Sequence, residues 1–206
     1  SSKATNLLPF NPPSGESYLV YRYDTINDIT QVVSTYEGGG YDIHYDCLHP
    51  SISDDGNTIA WETREIMSGF DQDLNFYYDI YVNKYIAVPP NPNPNWHTYL
   101  ISRSYEEPYL SGDGDSRGPC VSGDGNFVVF SSRATNLIPS PSINTWNVFL
   151  SPTDGSINTI IISQDKNGQP CAYNRILENG CVTFDFAHDF SVGRVVNYTG
   201  DLVVFS

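Results

Sequence analysis

A short unit, in which a tight turn precedes an apolar run, recurs along this chain of 206 residues. Its clearest copy spans residues 119–138, where the turn Gly-Asp-Gly-Asn at 123–126 is followed by Phe-Val-Val-Phe at 127–130. Asp-Gly favours a tight turn because glycine accepts the positive φ that hairpin turns require. The apolar run is too short for a core helix and is rich in strand-forming residues. Residues 50–62 and 176–185 repeat this pattern, so the sequence predicts a repeat protein.

Each unit contains four short apolar segments, which we name A to D in chain order. Segment A precedes the turn, B follows it, C follows a polar loop, and D is a run led by Thr that ends in Ser. Whole units are predicted at 46–103, 118–164 and 172–206, whereas residues 1–35 supply segments C and D alone. Four antiparallel strands in a unit of about 45–70 residues are typical of a β-propeller blade. We therefore predict an all-β fold with about three and a half blades of four antiparallel strands.

The composition agrees with this prediction. The 16 Gly and 14 Pro imply many turns, and no long stretch shows the 3.6-residue apolar period of a helix. The 15 Tyr and 10 Phe supply enough apolar surface for a folded core.

The charge limits the classes of partner. The formal net charge is −14, with only 10 Lys and Arg, so the chain would repel a phosphate backbone or an anionic membrane surface. No apolar stretch approaches the ~18 residues that cross a bilayer. We therefore expect neither nucleic-acid binding nor membrane insertion. The charge suits cations, neutral sugars or basic partners, although excess acid is also a common solubility feature.

The repeated motifs carry a family resemblance. The units P-S-I-S-D-D-G-N-T-I-A-W and V-S-G-D-G-N-F-V-V-F-S-S-R-A-T-N-L resemble the TolB-type, WD-repeat-like propeller repeats of secreted and periplasmic proteins. The resemblance covers essentially the whole chain, and is strongest around Gly125 and weakest around Gly180. It implies a propeller fold and an extracellular or periplasmic location. It implies no single activity, because such propellers serve as binding scaffolds and as appendages to enzymes.

A blade buries its faces only by stacking on its neighbours, and propellers usually close with about 4–8 blades. Three and a half blades would leave two faces uncovered. We therefore expect a fragment of a larger propeller, completed either by further propeller sequence or by a protein partner. The sequence leaves open whether the chain is a fragment, a processed form or a subunit.

Aromatic residues in or beside the loops are the candidate ligand-binding residues. Aromatic rings in propeller loops stack on sugars or anchor protein partners. The alternative is that many of them pack between blades. The candidates are Trp96, Tyr99, Tyr105, Tyr109 and Trp146.

Calcium is the one cofactor that the sequence suggests. Asp71, Asp73 and Asn75 place oxygen ligands at alternate positions of one loop, as a hard cation prefers. The alternative is a solvated acidic loop, because the glycine of an EF-type loop is absent and the equivalent loop at 140–147 carries no carboxylate. Otherwise we expect no cofactor. Asn197 begins an Asn-Tyr-Thr glycosylation sequon.

The four cysteines, Cys47, Cys120, Cys171 and Cys181, lack the spacing of a zinc site. Free buried thiols and disulfides both remain open, and three pairings are possible if all four are oxidised.

The favoured function is an extracellular or periplasmic propeller that acts as a binding or structural module and is not catalytic by itself. The alternative is the propeller portion of a secreted or periplasmic hydrolase that processes glycans or peptides. A cluster of acids and histidines at one rim would favour the enzyme, whereas a rim of aromatic residues would favour the binding module.

Overall fold

A computed structural model describes residues 1–3, 7, 17–36, 44–67, 75–86, 95–139, 145–164, 167–170 and 199. These ranges contain ten strands and no helix, and therefore no helix that could cross a membrane. The prediction of an all-β fold is confirmed. The strands are β1 (Tyr21–Asp24), β2 (Ile29–Val32), β3 (Leu48–Ile52), β4 (Thr58–Thr63), β5 (Asp79–Ile86), β6 (Asn95–Leu100), β7 (Ser116–Val121), β8 (Phe127–Ser132), β9 (Asn147–Pro152) and β10 (Ile160–Ile161).

The strands form three antiparallel sheets. The first sheet pairs β1 with β2, the second has the order β3-β4-β5-β6, and the third has the order β7-β8-β9-β10. Strand order in each sheet therefore follows chain order, as in a meander. The two larger sheets contain segments A to D of the units predicted at 46–103 and 118–164, and the first sheet contains segments C and D alone. No sheet closes on itself among these strands. Of the unit predicted at 172–206, only Thr199 lies within the described residues.

The same side-chain contacts shape both tight turns. The Ser53 hydroxyl donates to Asp55 Oδ1 at 2.6 Å, and the Asn57 backbone N–H donates to the same oxygen at 2.9 Å. Gly56 has a φ of 72°, which glycine adopts without steric penalty. The second copy of this turn uses Ser122, Asp124, Gly125 and Asn126, with the same φ at its glycine. The five-residue motif Ser-x-Asp-Gly-Asn therefore fixes each hairpin between segments A and B.

The second sheet is buried on both faces. Along β4, Ile59 and Trp61 join a buried apolar cluster that includes Val20, immediately before β1, and Val33, immediately after β2. Ala60, which points to the opposite face, joins a cluster from the second and third sheets. That second cluster also contains Ile80, Val82, Val121, Val128, Phe130 and Phe149. The three sheets therefore stack face to face, with the second in the middle.

Hydrogen bonds join the second and third sheets, and β7 lies against β3, β4 and β5. The Val121 backbone N–H donates to Ser51 Oγ at 2.9 Å. Near the tight turns, Lys84 Nζ donates to the Gly125 carbonyl at 3.1 Å and to Thr153 Oγ1 at 2.8 Å. Polar contacts thus accompany the apolar contact between the second and third sheets, and they fix the position of one sheet relative to the other.

Candidate functional site

The connections between strands gather at two ends of the stacked sheets. We call one end the loop end: it contains the described residues of the β4–β5, β6–β7 and β8–β9 connections and the residues before β3. The other end holds the tight turns. Large apolar side chains are exposed at the loop end, most strongly Tyr109 at 68% and Phe76 at 67%. The others there are Tyr45, Ile66, Tyr77 and Tyr105.

Two of the five predicted aromatic residues lie on β6 and take part in packing. The Trp96 ring meets Tyr85 edge-on at 5.4 Å between centroids, and the Arg22 guanidinium lies 5.4 Å from its centroid. Tyr99 packs against the cluster between the second and third sheets. Its ring lies so close to Gly155 that a Cβ there would meet Tyr99 Cδ1 at 2.7 Å. These contacts correspond to the packing alternative considered from the sequence.

The other three predicted aromatic residues lie at the loop end. Tyr105 and Tyr109 are exposed in the β6–β7 connection. Trp146, immediately before β9, is half-buried, and the Arg133 guanidinium lies 5.5 Å from its centroid. The five candidates therefore do not form one site.

Of the predicted calcium ligands, only Asn75 lies within the described residues; Asp71 and Asp73 lie outside them, as does Asn197. The Asn75 amide donates to the Gly112 carbonyl at 2.7 Å, and its oxygen accepts the Tyr77 backbone N–H at 2.9 Å. Asn75 thus ties two loops together. The described part of the chain contains no group of three or more His, Cys, Asp or Glu side chains that could hold a metal ion.

A buried carboxylate lies beneath the loop end. Glu62 on β4 is 1% exposed, and its Oε2 accepts the Gly118 backbone N–H at 2.6 Å. Its Oε1 lies 3.0 Å from Arg117 Nη1 and 3.1 Å from His49 Nδ1. Burial alone would raise the pKa of Glu62, but the hydrogen bonds from His49, Gly118 and Arg117 outweigh it and lower the pKa. Glu62 is therefore an ionised anchor between the second and third sheets.

His49 has an unusual backbone conformation. Its φ is 49°, in a region that glycine favours, and it lies where β3 and β4 lose regular register. The third sheet has the same irregularity in β7, where Gly118 has a φ of 62°. The sequence carries a signal for this feature, because Leu-His-Pro-Ser at 48–51 matches Arg-Gly-Pro-Cys at 117–120 in the repeat. Histidine thus replaces the glycine of the next unit, and its ring reaches Glu62.

Two arginines stack on one tyrosine ring at the loop end. The guanidinium of Arg117 lies 3.3 Å from the Tyr78 centroid and that of Arg64 lies 4.4 Å from it. Arg117 is also paired with Glu62 and, at 3.9 Å, with Asp115. Arg64 is exposed, and no carboxylate within the described ranges forms an ion pair with it. Arg64 is thus stacked on a ring without a neutralising partner in this part of the structure.

The backbone of the β4–β5 connection holds Phe76 outward. Phe76 has a φ of 58°, which is rare for a bulky residue, and its ring meets Tyr45 edge-on at 6.4 Å. On one side Asn75 is bonded to Gly112, and on the other the Tyr78 backbone N–H donates to Asp115 Oδ1 at 3.0 Å. The β6–β7 connection therefore holds the residues on both sides of Phe76.

The loop end combines exposed aromatic rings with arginines and with titratable groups that are engaged in structural contacts.

In comparisons with known proteins, no protein-family model matches the chain, and no curated protein matches it either.

Proposed function

We propose that the chain is part of an extracellular or periplasmic β-propeller of the TolB-type, WD-repeat-like kind, and that it is a binding module without catalytic activity of its own. In this proposal the second and third sheets are consecutive blades, and the first sheet is half of the blade before them. The loop end is the binding surface. Its ligand is a protein partner or a glycan.

The stacking of the sheets supports the blade assignment. Each of the two larger sheets is a four-stranded meander, and the second one carries apolar side chains on both faces. A sheet with two apolar faces needs a neighbour on each side, as a propeller blade does. The same requirement supports completion of the ring by further propeller sequence or by a protein partner.

The exposure of Phe76 and Tyr109 at the loop end is the observation that most supports a binding role. Burying an exposed aromatic ring against a ligand gains apolar contact at a low cost in side-chain entropy. The strained φ of Phe76 is maintained by hydrogen bonds of its neighbours to the β6–β7 connection, and such strain clusters at functional positions. The acidic groups nearby, Glu62 and Asp115, are engaged with backbone N–H groups and arginines, which favours binding over catalysis.

The binding role is tested with immobilised peptide and glycan arrays. We expect at least one probe to bind, and the variants Phe76→Ser and Tyr109→Ser to weaken its binding about tenfold or more, as for aromatic hot spots. Ile26→Ser is the matched control, because Ile26 is 91% exposed at the opposite end. Absence of binding to both arrays, or equal losses in all three variants, would refute the binding role at the loop end.

The blade assignment is tested by an experimental structure of the natural full-length protein. The expected result is a closed ring in which β3 and β7 lie nearest the central axis, with β6 and β10 outermost. A flat sandwich of the same sheets would contradict it.

A further inference from the structure

We propose that Arg64 and Tyr78 form a carboxylate-binding site at the loop end, and that it takes an acidic side chain of a peptide segment whose apolar neighbour packs on Phe76. This inference rests on the proposed binding role and specifies the chemical class of the ligand.

The stacked geometry leaves the edge of Arg64 available. An arginine that lies over an aromatic face uses the face of its guanidinium, while its N–H donors lie in the plane and point outward. Those donors match the two oxygens of a carboxylate in a bidentate arrangement. Arg64 is exposed, and among the described residues its polar head contacts the Tyr78 ring, 4.4 Å from the centroid, and no carboxylate. Among the residues that the structure describes, no structural acceptor takes its in-plane donors, which leaves them for a ligand.

Arg117, in contrast to Arg64, has a structural role at this site. It lies over the same ring at 3.3 Å, but its Nη1 donates to buried Glu62 at 3.0 Å. A second carboxylate, Asp115, lies 3.9 Å from its Nη2. Two carboxylates thus neutralise Arg117, and its Nη1 donor is engaged with Glu62. Arg117 supports the Tyr78 ring from within, whereas Arg64 presents its charge to a ligand.

Tyr78 is held in place before any ligand arrives. Its backbone N–H donates to Asp115 Oδ1 at 3.0 Å, and its carbonyl accepts the Ser116 N–H at 2.6 Å. Ser116 is the first residue of β7 and Asp115 immediately precedes it, so both contacts fix Tyr78 relative to the start of the third sheet. A fixed platform limits the freedom that Arg64 loses on binding, and such preorganisation strengthens binding.

The negative net charge of the chain favours a ligand with a single carboxylate over a polyanion. With a net charge of −14, the long-range field opposes nucleic acids and other highly charged anions. An ion pair with Arg64 acts over a few ångströms and is satisfied by one acidic group. Phe76, two residues before Tyr78, forms an edge-on pair with Tyr45, and these two exposed rings offer an apolar surface that suits an apolar side chain. A peptide with an acidic residue next to an aromatic one combines both features.

The test compares two synthetic peptides, acetyl-Gly-Phe-Glu-Gly-amide and its glutamine counterpart, by NMR titration of the ¹⁵N-labelled protein. We expect the glutamate peptide to shift the Arg64 side-chain Nε–H signal and the backbone signals of Phe76 and Tyr78. Its Kd should be about tenfold lower than that of the glutamine peptide, as for a charge-assisted hydrogen bond. Equal affinities of the two peptides would overturn the proposal.

Protein variants separate this site from general electrostatic attraction. Arg64→Gln should abolish the preference for glutamate, and Arg64→Lys should retain part of it, because lysine keeps the charge without the planar fork. Arg22→Gln is the matched control: it removes the same charge from a guanidinium that lies over Trp96, and should leave the preference intact. Persistence of the preference in Arg64→Gln, or its loss in Arg22→Gln, would overturn the proposal.

A glucuronate disaccharide serves as a second probe. Binding that depends on Arg64 to this sugar, and not to the glutamate peptide, would overturn the peptide assignment. The array experiment with Phe76→Ser and Tyr109→Ser does not vary Arg64. The proposed binding role can therefore survive failure of the carboxylate site, and the two results are distinguishable.

Discussion

The carboxylate of Glu62 on β4 accepts a 2.6 Å hydrogen bond from the backbone N–H of Gly118 on β7. This bond crosses from the second sheet to the third, at the point where β7 departs from regular pairing with β8. An irregular strand exposes a backbone N–H that the sheet does not use, and a buried N–H needs an acceptor. Glu62 supplies this acceptor, while His49 and Arg117 share its other oxygen. The irregularity in one sheet is thus satisfied by an ionised side chain of its neighbour.

We predict that Glu62→Ala destabilises the protein by about 3–5 kcal/mol, because it leaves Arg117 and the buried Gly118 N–H without their acceptor. Glu62→Gln should cost less, about 1–2 kcal/mol, since the amide oxygen still accepts one hydrogen bond. Urea unfolding followed by fluorescence measures both values. Exposed Glu106→Ala is the control, with an expected change within about 0.5 kcal/mol. A similar small effect for Glu62→Ala would show that the contact adds little to stability.

The lowered pKa of Glu62 predicts acid sensitivity. Its ordinary value is 4.5, and the folded value lies below this. The stabilisation is therefore fully present above about pH 4.5, and is lost as pH falls through the lower, folded pKa. Asp55 and Asp124 in the tight turns have lowered pKa values as well, although burial opposes their ionisation, because hydrogen bonds from serine and asparagine favour the charged form.

The measurement is the free energy of unfolding between pH 7 and pH 2.5. We expect little change down to about pH 4.5 and a steep decline below it. Glu62→Gln should show a shallower decline, because one of the titrating groups is missing. A decline of equal slope in the wild type and in Glu62→Gln would contradict the assignment.

The strands could be predicted from the sequence, whereas the site could not. The Ser-x-Asp-Gly-Asn turn encodes its hairpin through contacts within five residues, so segments A and B could be located locally. Glu62 has its equivalent in Ser131 of the next unit, and its role depends on a neighbouring sheet rather than on nearby residues. The sequence likewise predicts Tyr99 to be an aromatic residue beside a loop, but its position against Gly155 depends on how the sheets stack.

Cys47 should be almost unreactive in the folded protein. It is 0% exposed, and burial raises the pKa of its thiol from 9.0 to about 12. Because the thiolate is the nucleophile, the fraction of reactive thiol at pH 8 falls by about a thousandfold. Iodoacetamide labelling followed by peptide mass spectrometry should find Cys47 at least about a hundredfold slower in buffer than in 8 M urea. Equal rates in the two conditions would contradict burial of this thiol.

The two turn glycines form a matched pair for a last prediction, because both have a φ of 72° and differ only in their surroundings. A Cβ on Gly56 would meet nothing nearer than Ile52 Cδ1 at 3.9 Å. A Cβ on Gly125 would approach Thr58 Oγ1 to 2.5 Å, because this turn packs against the second sheet. Alanine at either position incurs the left-handed backbone penalty, and only the one at Gly125 must also displace a neighbour.

We expect Gly56→Ala to destabilise the protein by about 1–2 kcal/mol, which is the cost of placing an alanine in the left-handed region. Gly125→Ala should cost about 1–3 kcal/mol more, as overpacking does in a tight interior. Thr58→Ala in the Gly125→Ala background removes Oγ1, the atom nearest to the new Cβ, and should recover part of the additional loss, whereas the same change should recover nothing in Gly56→Ala. Urea midpoints measured in parallel decide the matter: equal losses for the two alanine variants would mean that the turn of the third sheet does not press against Thr58, and the close stacking of the two sheets at this end would have to be abandoned.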